Sequence, residues 1–162
     1  MKEKFTGKGQ TMTMKRVFDA PLDRVWEAWT DPELLRKWWG PRHFDNPTCE
    51  WDARPGGKIN VVMTADGSPE LGSFKDMKAP MGGYFKEIVK REKLVFISTA
   101  LGTNDEVMLE NLNTVTFRDK GGKTEIIINV EVLDVKPAMM QALEGMGQGW
   151  SESLDKLVEL LK

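Results

Sequence analysis

The chain has 162 residues, 40% hydrophobic and 30% charged, enough apolar content for one soluble domain with a sizeable core. With 23 basic against 25 acidic side chains the net charge is -2, which leaves no basic footprint for nucleic acid or an anionic membrane surface. A single cysteine, Cys49, excludes an intramolecular disulfide framework, no run approaches the ~18 apolar residues of a membrane span, and Met1–Lys8 lacks the apolar core of a secretory signal, so one cytoplasmic domain over 1–162 is expected.

Met12, Met14 and Phe18 alternate with Thr11, Thr13 and Val17, which predicts a first strand with one greasier face. Pro21 is placed to open a helix at the position where a missing N–H costs nothing. Leu22, Val25, Trp26 and Trp29 then form one apolar stripe. Thr30 or Asp31 is the N-cap of a second short helix, with Glu33 in its first turn, Leu34, Leu35, Trp38 and Trp39 as apolar payload, and Gly40-Pro41 as its stop.

Strand signals follow. Cys49–Asp52 leads into the turn Arg54-Pro55-Gly56-Gly57, after which Ile59, Val61 and Met63 alternate with polar residues. Tyr84–Val89 and Leu94–Thr99 are joined by the charged link 90–93. Leu112–Arg118 and Thr124–Val132 flank a glycine turn at Gly121-Gly122, the clearest hairpin in the chain. Pro137 opens the last element, where Met139, Leu143, Met146, Trp150, Leu154, Leu157 and Leu161 recur at steps of three and four along one long helix. Gly145, Gly147 and Gly149 interrupt that stripe, each costing about 1 kcal/mol against alanine. They predict either a helix thinned over a cavity or a kink. The fold class expected is α+β: a curved antiparallel sheet of about six or seven strands wrapped around a long C-terminal helix, with two short helices after the first strand. One helix cannot fill such a concavity, so a pocket between helix and sheet is expected as the ligand site.

Several segments in this order resemble a known family: Arg16–Pro21, Val25–Glu33, Trp38-Trp39-Gly40-Pro41, Arg54–Gly57, Gly83–Ile88, Val115–Phe117, Gly121-Gly122 and Gly149–Leu157. They look like the branch of the START-like (SRPBCC) superfamily named after the activator of the ninety-kilodalton heat-shock chaperone's ATPase. Relatives often carry proline where this chain has Val89-Lys90-Arg91. The resemblance implies the helix-grip fold. It implies no catalytic motif, because the superfamily spans lipid carriers, polyketide cyclases and chaperone partners.

Six tryptophans are the unusual feature. Trp26, Trp29, Trp38 and Trp39 read as core and as a wedge pinned to the sheet, while Trp150, among the helix glycines, reads equally as pocket wall or core. His43 is the only histidine and sits in a loop without a carboxylate or serine at catalytic spacing, so it reads as a surface or supporting group. Cys49 lacks a base and reads as a structural thiol. No metal site and no cofactor are expected. The glycine pairs fit turns rather than phosphate loops. The segments 65–82 and 101–108 are long for hairpin loops and could lie at a cavity mouth.

The leading expectation is a binding module whose cavity takes a small hydrophobic or aromatic molecule, lined by Met63, Tyr84, Phe96, Met146 and Trp150, with Arg54 or Glu87 as orienting polar groups. The alternatives are a cyclase- or hydrolase-like enzyme using Tyr84, Glu87 or His43 in the same cavity, and a stress-linked co-chaperone with a chaperone or other protein as partner. An exposed apolar patch at Trp38-Trp39 would favour the last. Either a monomer or a homodimer fits.

Overall fold

Antiparallel strands are the largest part of the computed structural model, which describes residues 7–162. The reading that the first residues carry no secretory leader rests on Met1–Lys8, of which 1–6 lie outside this range. The elements run β1 (Thr11–Phe18), α1 (Leu22–Thr30), α2 (Pro32–Leu35), β2 (Phe44–Trp51), β3 (Lys58–Ala65), β4 (Lys78–Val89), β5 (Lys93–Leu101), β6 (Val107–Asp119), β7 (Thr124–Val135), α3 (Met140–Glu144) and α4 (Met146–Leu160). The strands form one seven-stranded curved sheet in the order β1-β7-β6-β5-β4-β3-β2, the α+β helix-grip architecture. The two strands that flank the short helices in the sequence, β1 and β2, are its edges.

The curvature has local causes. Register shifts interrupt the pairing at Asp45/Thr48, Phe85/Glu87, Ala100/Leu101 and Glu110/Asn111, and each extra residue bends its strand and sharpens the twist. Gly83 shows how tightly the strands approach. Its φ is +148°, and a Cβ there would lie 1.9 Å from the Ile97 carbonyl oxygen.

Period-two alternation aims one face of every strand inward. Along β6 the inward residues are Leu109, Asn111, Asn113, Val115 and Phe117. The core combines Phe18, Val25, Trp29, Trp38, Phe85, Phe96, Ile126, Ile128, Leu154 and Leu157 with the remaining tryptophans. A smaller cluster, Leu109, Val132 and Leu143, sits under α3.

Three local details of the expected elements have simple reasons. Pro21 has extended backbone (ψ 154°) and caps α1 from outside, so the helix starts at Leu22. Asp31 rather than Thr30 caps α2, its carboxylate accepting from the Glu33 N–H at 2.9 Å, while the Thr30 hydroxyl donates to the Trp26 carbonyl. The C-terminal stripe is not one helix. It begins with a 3-10 turn at Pro137–Met139 and breaks at Gly145 between α3 and α4. No helix among the described residues is long and apolar enough to cross a membrane.

Candidate functional site

A mostly apolar cavity of about 350 Å³ lies between α4 and the sheet, bordered by residues of both the main core and the smaller cluster. The sheet supplies its floor: Met63 from β3, Ala79, Pro80 and Met81 from β4, Ser98, Thr99 and Ala100 from β5, and Leu109, Asn111 and Asn113 from β6. The roof comes from Met139, Ala142 in α3, and Met146, Gly149, Trp150 and Ser153 in α4. Trp39, Gly40, Pro41 and Phe44 close one side. Five flexible methionines, counting Met77, give this wall an adaptable surface.

Helical spacing explains the roof. Met146, Gly149, Trp150 and Ser153 fall on one face of α4, while Leu154 and Leu157 continue toward the core. A Cβ on Gly149 would meet nothing within 4 Å, so this glycine leaves open space rather than easing a close contact. Trp150 stacks on Trp29 with centroids 6.2 Å apart and meets the edge of Trp39 at 5.2 Å. Cavity wall and aromatic core are therefore continuous. Gly40 works differently: with φ +91° it ends the wedge, and a Cβ there would press to 2.9 Å of the Met63 sulfur.

The side wall is held by a charge. The Lys156 ammonium donates to the carbonyls of Trp39 and Pro41, each at 3.3 Å, and of Phe44 at 3.4 Å. Burial pushes its pKa below the ordinary lysine value, partly offset by Asp45. On the opposite flank Arg16 donates to Asp155 at 2.7 Å, tying β1 to α4. Asn46, buried in β2, donates to the Arg36 and Trp39 carbonyls and fixes the end of the wedge.

Of the residues expected to line a cavity, Met63, Met146 and Trp150 do so. Phe96 lies one step deeper, fully buried against Trp39, Trp51 and Phe85, and the next inward residue on its strand, Ser98, forms the wall instead. Tyr84 sits beside inward-facing Phe85 and so projects outward, 49% exposed. Glu87 pairs outside with Lys93 at 2.6 Å, and Arg54 pairs with Asp52 in the β2–β3 turn at 2.8 Å. Neither of these charges reaches the cavity wall.

His43 lies outside the wall too, with its ring 3.6 Å from Asp66 and 4.0 Å from Glu70. Hydrogen bonds from Ser68 hold the Asp66 carboxyl below the usual range, with the histidine a lesser contributor. Half-buried Cys49 donates weakly to the Pro32 carbonyl, and desolvation raises its pKa, so it is a poor nucleophile. Among the described residues no group of three or more His, Cys, Asp or Glu could hold a metal ion. Trp26, Trp29, Trp38 and Trp39 are all buried, and no exposed patch forms at the Trp38-Trp39 pair. Of the two segments expected as long loops, 65–82 is strand from Lys78 onward and gives Met77, with Ala79, Pro80 and Met81 of β4, to the wall, while the turn at Thr103–Asp105 stays outside it.

The polar groups on the floor are ones that motif reading passes over. Asn111 and Asn113 interrupt an otherwise apolar inward stripe of β6, a signal present in the period-two pattern. Asn113 donates to the Ser98 hydroxyl at 2.9 Å and to the Phe96 carbonyl at 3.2 Å. The Asn111 side-chain oxygen is buried and has no hydrogen-bond partner. A larger, more open groove of about 820 Å³ passes Trp26, Cys49, Glu50, Asp52 and Lys90. Its charged rim and openness make it a poorer place for an apolar ligand.

No curated protein matches the chain. Solved structures do. A protein from Nitrosomonas europaea is 28% identical, with TM-score 0.72 and 93% of each chain covered. One from Chromobacterium violaceum is 27% identical, with TM-score 0.75, covering 93% of this chain and 96% of that one. The AHSA1 protein of Silicibacter pomeroyi, at 18% identity and TM-score 0.76 over 94% of this chain and 97% of that one, shares the fold. A family model described as "Activator of Hsp90 ATPase homolog 1-like protein" matches residues 19–162, and with that span the chain belongs to this family.

Proposed function

We propose that the protein binds a small hydrophobic or aromatic molecule in the cavity between α4 and the sheet. The observation that carries this reading is the wall itself: about 350 Å³, mostly apolar, with no ionisable side chain among the described residues that line it. That volume sits near the lower end of the ~300–1,000 Å³ typical of small-molecule pockets and suits a ligand of one or two rings. Acid–base catalysis needs a titratable group within hydrogen-bond reach of the substrate, and Tyr84, Glu87 and His43 all lie elsewhere. This favours binding over a cyclase- or hydrolase-like reaction. The co-chaperone reading rests on the family's name, and burial of Trp38 and Trp39 removes the surface that would favour it.

The test is thermal shift and tryptophan fluorescence against aromatic and fatty compounds, comparing the protein with Gly149→Leu. Trp39 and Trp150 both line the cavity, so a bound molecule changes their emission. Saturable binding that the folded Gly149→Leu protein loses supports the reading. Binding that survives in that variant places the ligand elsewhere.

A further inference from the structure

We infer that the cavity selects uncharged, hydroxyl-bearing ligands, with the ligand O–H donated to the Asn111 side-chain oxygen. The inference deepens the binding reading above and rests on it. Asn111 is 7% exposed, lines the cavity floor, and its Oδ1 is buried without a partner. A buried amide oxygen without a donor is a standing cost that an apolar ligand leaves in place and a donor relieves. The neighbouring Asn113 amide is tied into the protein by its N–H groups, which donate to Ser98 and Phe96.

A hydroxyl suits the position better than an N–H. Ser98 is the direct cross-strand partner of Asn111, so both side chains stand side by side on the inward face. The Ser98 oxygen already accepts from Asn113, which leaves its own proton available. A ligand hydroxyl can donate to Asn111 and accept from Ser98 at once, whereas an N–H can only donate. Carboxylates and ammonium groups are disfavoured, since no described lining residue offers a countercharge. The extra residue at the Glu110/Asn111 register shift is Leu133 on β7, so β6 keeps its alternation and Asn111 stays on the inward face.

The experiment measures binding of 2-naphthol, naphthalene and 2-methoxynaphthalene by equilibrium dialysis to the full chain and to Asn111→Leu, with Asn111→Ala as a second variant should the first fail to fold. The quantity read is the 2-naphthol-to-naphthalene affinity ratio. It should fall about tenfold or more on removing the amide, the size expected for losing a partner to a buried acceptor. In the unmutated protein 2-methoxynaphthalene, which has the oxygen without the proton, should bind no better than naphthalene. An unchanged ratio, or preference for the methoxy compound over the naphthol, overturns the Asn111 assignment while the cavity reading stands. Failure of all three to bind the unmutated protein overturns both.

Discussion

Gly149 separates a cavity from ordinary helix packing, and its substitution has a calculable outcome. The residue lies inside α4, its N–H donates to the Gly145 carbonyl at 3.0 Å, and its backbone is not in the left-handed region. A Cβ would find open space. Gly149→Ala should therefore recover the helix cost of glycine, about 0.5–1 kcal/mol, without a clash. For a chain of this length that is a rise in Tm of about 1–4 °C. Gly149→Leu adds partial burial of an isobutyl group, worth about 1 kcal/mol at a half-buried site, against about 0.5–1 kcal/mol of lost rotamer freedom. Its net effect on stability is thus about 0.5–1.5 kcal/mol in the stabilising direction. The consequence for binding is much larger. Removing a leucine side chain from a packed core opens on the order of 150 Å³, so adding one consumes a large share of the roughly 350 Å³ present. Calorimetry for Tm and dialysis for ligand binding read the two effects separately. A fall in Tm for Gly149→Ala would refute the claim of open space. Retained ligand binding in a stabilised Gly149→Leu protein would refute the location of the site.

Phe96 and Tyr84, both aromatic and both in central strands, should behave oppositely in chemical denaturation. Phe96→Ala should cost about 3–5 kcal/mol because its ring is fully buried among Trp39, Trp51 and Phe85, whereas Tyr84→Ala should stay within about 1 kcal/mol. Gly83→Ala should destabilise by at least about 2 kcal/mol, because its Cβ would overlap the Ile97 carbonyl and the strand cannot yield without breaking pairing. Lys156 has a folded-state pKa below its unfolded value, so the unfolded state holds more protons between the two. Its contribution to stability therefore rises with pH through that interval and levels off at the ordinary lysine pKa. Lys156→Met should remove this rise, seen as a difference between the two proteins' stability curves from neutral to alkaline pH. The same variant should loosen the Trp39–Phe44 wall that the ammonium holds and weaken ligand binding.

The strands, their inward faces and the order of elements are set locally, by alternation and turn chemistry, and can be read residue by residue. Met63, Met146 and Trp150 could be picked out because they sit on stripes that must face the interior, and an interior closed by one glycine-rich helix leaves space somewhere. What alternation does not say is how far along each strand the filled core gives way to the void. Phe96 and Ser98 share one face of β5, yet one is core and the other wall, because Trp39 of the wedge and Trp51 of β2 pack on Phe96 while Ser98 borders the cavity. Tyr84 faces outward because Phe85 takes the inward position on β4, a choice of phase made by packing against the core. The break at Gly145 also lies beyond the stripe. The apolar spacing runs on through it and the glycines allow a thinned helix as well as a kink, while in the fold Leu143 of α3 packs with Leu109 and Val132 and the break falls at Gly145. Asn111 is the plainest case. Its place on the inward face is a matter of counting by twos, but its lack of a partner depends on every neighbour that tertiary packing does or does not bring within reach.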